Sequence, residues 1–143
     1  MKRKMTLAAV ALGAALVTPF MASTAQATES STVAEVTPMA ASDCPAGKFC
    51  FFYNSGLAGS HNELSGVNVP NLANYTFTSS GAGKGQSVKN NAASAQNNNQ
   101  CNATVYFNSN YAGASDWFGY RNGGQLVNTY NNNASVYFAS FCG

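Results

Sequence analysis

The sequence predicts an all-β domain, a sandwich or barrel made of two Greek keys and closed by two disulfides. Three observations support this fold class. Short segments rich in aromatic and β-branched residues alternate with clusters of asparagine and glycine, which favours strands joined by tight turns. Two sequence signatures each occur twice, in the same order. Four cysteines follow an export signal, and small exported domains use disulfides to stabilise a modest core.

The first residues direct export rather than folding. Three basic residues at positions 2–4 precede an apolar run from Leu7 to Phe20, and Ala25-Gln26-Ala27 completes an A-x-A cleavage site. This order is typical of a secretory signal peptide over residues 1–27. We therefore expect a secreted, extracellular protein that has no membrane attachment after the signal is cleaved.

Residues 28–43 predict a disordered leader, because they are small and polar and include no aromatic side chain. The folded domain then spans residues 44–143, a length that suits one domain, and we expect it to be a monomer. After the signal, four basic residues stand against five acidic ones, a net charge of −1. Nucleic-acid binding is disfavoured, since it requires Lys and Arg to neutralise phosphates.

The four cysteines, Cys44, Cys50, Cys101 and Cys142, predict two disulfides. Three pairings are possible. Cys44 and Cys50 bracket a short loop that contains proline and glycine, so a local bridge is feasible, and Cys101 would then pair with Cys142. A metal site or a reactive thiol is disfavoured, because no CxxC pair is present and the chain has a single histidine.

The first repeated signature predicts two hairpin corners. Residues 52–60 read FYNSGLAGS and residues 106–114 read YFNSNYAGA, an offset of 54. An aromatic residue opens the strand, a second large side chain stacks against it across the bend, and a glycine two residues later takes a positive φ. These residues are Phe52, Leu57 and Gly59 in the first copy and Tyr106, Tyr111 and Gly113 in the second.

The second signature reads NNAAS at residues 90–94 and NNNAS at residues 131–135, an offset of 41. Because 54 exceeds 41 by 13, the first repeat carries 13 more residues between its two signatures. The expected site of most of this insertion is YTFTSSGAGKGQ, residues 75–86. Two similar units of this kind predict two Greek keys packed as one pseudo-symmetric domain.

The paired signatures resemble those of βγ-crystallins, in which [YFW]-x4-[YFW]-x-G opens each Greek key and N/D-N/D-x-x-S/T-S follows. The resemblance covers residues 49–142. It implies a calcium site in which Asn91, Ser94, Asn132 and Ser135 supply side-chain oxygens. Calcium affinity rises with the number of carboxylates, and both N/D positions are asparagine in each copy. We therefore expect weak calcium binding or none, with turns capped by these side chains as the alternative, and no other cofactor.

The opening of the domain, CPAGKFCFFYNSGLAG, resembles the Streptomyces-type metalloproteinase inhibitor family, whose members are small secreted bacterial proteins with four cysteines. The resemblance implies a peptidase inhibitor that blocks the active site of an extracellular metalloprotease with an exposed loop. In that family, the inhibitory segment extends from the second Greek key. The corresponding residues 111–123 are compact in this chain.

The insertion is therefore the predicted inhibitory loop, with Tyr75, Thr76 and Phe77 offering side chains to the protease. The alternative is a surface connection with one aromatic residue packed onto the sheet. A second candidate contact is DWFGY, residues 116–120. Trp117 and Phe118 in this segment are expected to belong to the core, as the more frequent role of such residues.

Two other functions remain open, and enzymatic activity is disfavoured. A weak calcium-binding structural or stress protein is the main alternative, and a killer-toxin-like antimicrobial is a minor one. The predicted domain contains only Glu63, Asp116 and His61 as acid or base candidates. Nothing in their spacing indicates a paired acid and base, and the HExxH motif of zinc proteases is absent.

Overall fold

The computed structural model describes residues 43–139, which form two antiparallel sheets. The strands are β1 (Phe49–Asn54), β2 (Ala58–Leu64), β3 (Ser94–Asn97), β4 (Ala103–Asn108), β5 (Ala112–Phe118), β6 (Gly123–Gln125) and β7 (Ser135–Phe138). A short 3-10 helix spans Leu72–Asn74. The first sheet has the order β2-β1-β3-β6 and the second the order β5-β4-β7. The all-β prediction is confirmed.

The two sequence repeats are two copies of one supersecondary unit. Shifting the bounds of β1 and β2 by 54 gives those of β4 and β5, and shifting β3 by 41 gives β7. Both hairpins also have a register irregularity at the same place, between Phe52 and Asn54 in the first and between Tyr106 and Asn108 in the second. The offsets of 54 and 41 between the sequence signatures therefore also relate the strands of one repeat to those of the other.

The repeats exchange a strand, and this exchange joins them. β6 belongs to the second repeat but pairs with β3 of the first. In the opposite sense, Val69 of the first repeat forms a bridge with Val136 of β7, through backbone hydrogen bonds of 2.9 and 3.0 Å. Each repeat thus lends a segment to the other's sheet, as expected for two interlocked Greek keys.

Phe49 lies at the centre of the core between the sheets. Its ring is fully buried and meets Phe51, Phe118 and Phe138 edge-on, at centroid distances of 5.0, 5.8 and 5.6 Å. Edge-to-face pairs of this kind add stabilisation beyond the area that they bury. Because these rings come from β1, β5 and β7, one cluster holds both sheets together.

The first hairpin corner is fixed by a buried serine from another strand. The Ser94 hydroxyl donates a hydrogen bond to the Asn54 carbonyl at 2.6 Å and accepts one from the Leu57 N–H at 3.0 Å. Leu57 and Gly59 have φ values of 59° and 78°. The corner therefore needs a glycine and a distant hydroxyl together, which explains why both signatures are present in each repeat.

The second corner repeats this arrangement. The Ser135 hydroxyl donates to the Asn108 carbonyl at 2.7 Å and accepts from the Tyr111 N–H at 3.0 Å. The rings of Tyr106 and Tyr111 meet edge-on at 6.2 Å, and Gly113 has a φ of 84°. The two rings therefore contact each other across the bend edge to face rather than stacked, and the glycine has the expected positive φ.

Cys44 and Cys50 form the predicted local disulfide, with Cα atoms 5.7 Å apart. Cys101 is also disulfide-bonded, but Cys142, its predicted partner, lies outside the described residues. The signal peptide over residues 1–27 and nearly all of the leader lie outside them as well, so these stay predictions. Within residues 43–139, no helix is long and apolar enough to cross a membrane.

Replacing either corner serine by alanine leaves two backbone groups without their partner. We expect Ser94→Ala and Ser135→Ala each to lower the free energy of unfolding by about 1–3 kcal/mol. Ser80→Ala is the control, because Ser80 is exposed and its side chain makes no hydrogen bond in the described part of the chain. Urea unfolding measures all three, and losses no larger than that of Ser80→Ala would contradict this role.

Candidate functional site

The insertion of the first repeat forms a short hairpin. The Phe77 N–H donates to the Gln86 carbonyl at 2.9 Å, and the Gly85 N–H donates to the Phe77 carbonyl at 2.8 Å. At its base, the Val88 N–H donates to the Tyr75 carbonyl at 2.8 Å. The insertion is therefore an ordered element with backbone pairing of its own.

This hairpin lies along the outer edge of β2. The Ser60 N–H donates to the Ala82 carbonyl at 2.9 Å, and the N–H groups of Thr78 and Ser79 both donate to the His61 carbonyl, at 3.0 and 3.2 Å. The Ser60 hydroxyl adds a bond of 2.6 Å to the Ser79 carbonyl. The insertion thus covers backbone groups that an edge strand would otherwise expose.

The structure exposes only one of the three predicted inhibitory residues. The Phe77 side chain is 1% exposed and packs edge-on against Tyr53, with centroids 5.6 Å apart. Tyr75 is half-buried against the core, and Thr76 alone is exposed. This burial contradicts the prediction that Phe77 offers its ring to a protease, because the ring is needed to attach the hairpin to the core. Residues 78–86, at the tip, contain no large apolar side chain.

The corresponding edge in the second repeat is more open. Residues 112–114 of β5 are exposed, and no insertion lies along them. The Ser115 carbonyl, the counterpart of the His61 carbonyl, accepts a bond of 2.9 Å from the Asn128 side chain. A duplicated fold therefore covers one edge strand with backbone and leaves much of the equivalent strand accessible.

Asp116, considered above as a catalytic acid, holds a loop in place. Its carboxylate accepts hydrogen bonds from the N–H groups of Val127, Asn128 and Thr129 at 3.1, 3.1 and 2.9 Å. The Thr129 hydroxyl donates a further bond at 2.7 Å. A carboxylate that caps three consecutive amides fixes the backbone of that loop against β5.

Two exposed aromatic side chains follow Asp116, and we call Trp117 and Tyr120 the aromatic edge. They are 60% and 49% exposed. The indole lies over Gly119, where an added Cβ would stand 2.8 Å from Cη2 of Trp117. The Arg121 guanidinium lies 5.1 Å from the centroid of the Tyr120 ring. The expected core position of Trp117 is corrected here, since the buried aromatic of this segment is Phe118.

A signal for this exposure was present in the sequence. The offset of 54 places Trp117 at the position of Glu63 and Phe118 at that of Leu64. Glu63 is exposed and Leu64 is buried. Comparing the two repeats position by position would therefore have assigned Trp117 to the outer face, because alternate residues of a strand point to opposite faces.

The predicted calcium residues serve the turns and corners. The Asn91 amide donates to two carbonyls of its own turn at 3.0 and 3.1 Å, and the Asn132 amide donates to one at 2.9 Å. The hydroxyls of Ser94 and Ser135 tie the hairpin corners. These bonds fit the alternative of capped turns, while calcium binding stays a prediction that calorimetry with millimolar calcium can test.

His61 and Glu63 lie on β2, with Nε2 and Oε1 3.4 Å apart. The His61 ring also packs against Phe52 at a centroid distance of 5.4 Å. Asp116 lies on the other sheet and is occupied by its loop. The domain's three acid and base candidates are thus not gathered at one place.

The family comparison decides the class of the protein. The model of peptidase inhibitor family I36 matches residues 37–118, more than half of the chain. The chain belongs to peptidase inhibitor family I36. This confirms the family predicted from the opening of the domain, and it also confirms that the protein is not an enzyme. A peptidase inhibitor implies a protease as its partner. No curated protein matches the sequence.

Solved structures confirm the βγ-crystallin-like fold of this I36 member. A structure from work on the evolution of the eye lens βγ-crystallin domain fold has a TM-score of 0.52 and 13% identity, covering 68% of this chain and 91% of the other. The N-terminal domain of protein S has a TM-score of 0.52 and 22% identity, covering 67% of this chain and 99% of the other. At these identities, the likeness concerns the fold alone.

The placement of Phe77 leads to a direct test. Phe77→Ala removes a buried ring, so we expect it to lower the free energy of unfolding by about 3–5 kcal/mol. Thr76→Ala, at the exposed neighbouring position, is the matched control and should change it by at most about 0.5 kcal/mol. Denaturant unfolding of both variants distinguishes a core ring from a surface ring; equal, small effects would place Phe77 at the surface.

Proposed function

We propose that this protein is a secreted inhibitor of extracellular metallopeptidases. Membership of peptidase inhibitor family I36 is the observation that carries the proposal. The metallopeptidase class rests on the resemblance of the domain's opening to a metalloproteinase inhibitor family. Export rests on the order of basic, apolar and A-x-A segments before residue 28.

The proposed mechanism is occlusion of the active-site cleft by a rigid exposed segment. Rigidity lowers the entropic cost of association, and a large side chain that fills a pocket supplies much of the affinity of a typical interface. The tip of the insertion, residues 78–86, is ordered but offers no such side chain. The aromatic edge combines a rigid backbone with large exposed side chains. It is therefore the proposed contact, with the insertion tip as the alternative.

Trp117 is the proposed anchor of this contact. The carboxylate of the preceding residue, Asp116, fixes the adjacent loop through three backbone amides. The indole itself rests on Gly119, which has no side chain to displace it. Because the ring is held before association, little side-chain freedom remains to be lost when a peptidase pocket covers it.

Inhibition assays with the exported chain test the target and the contact together. We expect inhibition of thermolysin-like enzymes at micromolar concentrations or below, and none of subtilisin-like or trypsin-like enzymes. Trp117→Ala should raise the inhibition constant at least about tenfold, as expected for loss of an anchor worth more than about 1.4 kcal/mol. Val67→Ala is the control, because this side chain is exposed in the first repeat.

Each result bears on a separate part of the proposal. No inhibition of any metallopeptidase would reject the target class. Inhibition that Trp117→Ala leaves unchanged, but that Lys84→Ala at the exposed insertion tip weakens, would move the contact to the insertion. Circular dichroism of each variant confirms that the fold is intact.

A further inference from the structure

A polar cleft of about 610 Å³ opens on the face where the two repeats meet. Its walls are residues 53–55 at the end of β1, residues 90–91 in the turn before β3, and residues 130–131 in the turn before β7. Ligand pockets of small molecules usually measure about 300–1,000 Å³. The cleft is therefore large enough for an organic ligand, and neither residue of the aromatic edge lines it.

Because the domain is duplicated, this cleft can be compared with the equivalent place in the other repeat. By the two offsets, Ser109 is the counterpart of Ser55, and Lys89 is the counterpart of Tyr130. At the counterpart position, the Lys89 ammonium spans the gap, donating to the Ser109 hydroxyl at 3.0 Å and to the Asn71 side-chain oxygen at 3.1 Å. Tyr130 makes no such contact and is 42% exposed. The counterpart of the cleft is thus bridged by the Lys89 side chain, whereas the cleft itself stays open.

The open cleft presents hydrogen-bonding groups that the rest of the described chain does not use. Between residues 43 and 139, the side chains of Ser55, Asn90 and Asn131 have no hydrogen-bond partner. The tyrosine hydroxyls of Tyr53 and Tyr130 have none either. A neutral amide offers donors and an acceptor, and a hydroxyl offers both roles. The lining can therefore match a ligand rich in hydroxyl groups.

The walls of the cleft are held in place by backbone hydrogen bonds and by the packing of a ring. The Asn90 N–H donates to the Asn133 carbonyl and the Asn131 N–H to the Ala92 carbonyl, both at 2.9 Å. The Tyr53 ring rests on Gly83, a position with a φ of 86° where any Cβ would collide with the ring. The lining is therefore preformed, and ordering it would cost little of the binding free energy of a ligand.

The charge of the lining selects the class of ligand. No Asp, Glu, Lys or Arg lines the cleft. Calcium sites gain affinity from carboxylates, and anions are recognised by Arg, Lys or helix N-termini. Amides, hydroxyls and two tyrosine rings suit a neutral ligand with polar edges and apolar ring faces. We propose that this cleft binds a neutral oligosaccharide, independently of the inhibitory contact.

Nitrogen-15 NMR of the exported chain tests this site without reference to inhibition. The probes are cellotetraose, chitotetraose and laminaritetraose, each titrated to millimolar concentration. We expect at least one of them to cause saturable shifts of the amide signals of Tyr53, Asn54, Asn90 and Asn131. Absence of shifts with all three, or shifts confined to other residues, would overturn the proposal.

Two variants and a matched control identify the cleft as the site. Tyr130→Ala should weaken the measured affinity at least about tenfold, and Tyr130→Lys should abolish binding by reproducing the Lys89 bridge towards Ser55. Phe107→Ala is the control: Phe107 is the counterpart of Tyr53 and is 40% exposed. Binding that survives both Tyr130 variants would overturn the proposal. Shifts of the same amides with calcium chloride and with no sugar would assign the cleft to a cation and would also overturn it.

Discussion

Neither repeat completes its own sheet, and the remaining features of the domain depend on this exchange. β6 pairs with β3, and Val69 pairs with Val136, so each sheet contains a segment of both repeats. The exchange brings the turns of residues 90–92 and 131–133 against each other, where each donates a backbone hydrogen bond of 2.9 Å to the other. The polar cleft forms beside these turns. Its shape is therefore set by the interlocking of the repeats.

The two copies differ most where an edge strand or a turn meets solvent. Asn62 and Asp116 are counterparts by the offset of 54. The Asn62 amide donates to the Thr76 carbonyl at 2.9 Å, and its side-chain oxygen is buried without a partner in the described part of the chain. The Asp116 carboxylate accepts from three consecutive amides. The same backbone position thus binds an insertion in one copy and a short loop in the other.

Much of the fold could be predicted because the hairpin corner has strict local requirements. A positive φ calls for glycine at Gly59 and Gly113, and each corner needs a serine, Ser94 or Ser135, which stands four residues after the first asparagine of the second signature. These requirements leave a repeated pattern in the sequence. The exposure of a single aromatic residue depends on which segments cover its strand, so the sequence indicates it only where the two repeats can be compared position by position. Trp117 was expected inside because it was not compared with its counterpart Glu63, and Phe77 was expected outside although its insertion has no counterpart to compare; the structure reverses both.

Trp117 and Tyr130 share a property that packing does not explain. Each takes the place of a charged residue in the first repeat, Glu63 and Lys89 respectively. A single exposed aromatic residue is common and needs no explanation by itself. Trp117, however, is seated on Gly119 beside a loop fixed by a carboxylate.

Tyr130 stands over a cleft whose counterpart is spanned by the Lys89 ammonium. In both places, the second repeat presents a ring where the first presents a solvated or bridging charge. A duplicated scaffold can carry such changes without loss of its fold, because its corners and its core are specified elsewhere. The surfaces on which the copies differ are therefore where we expect its partners to bind.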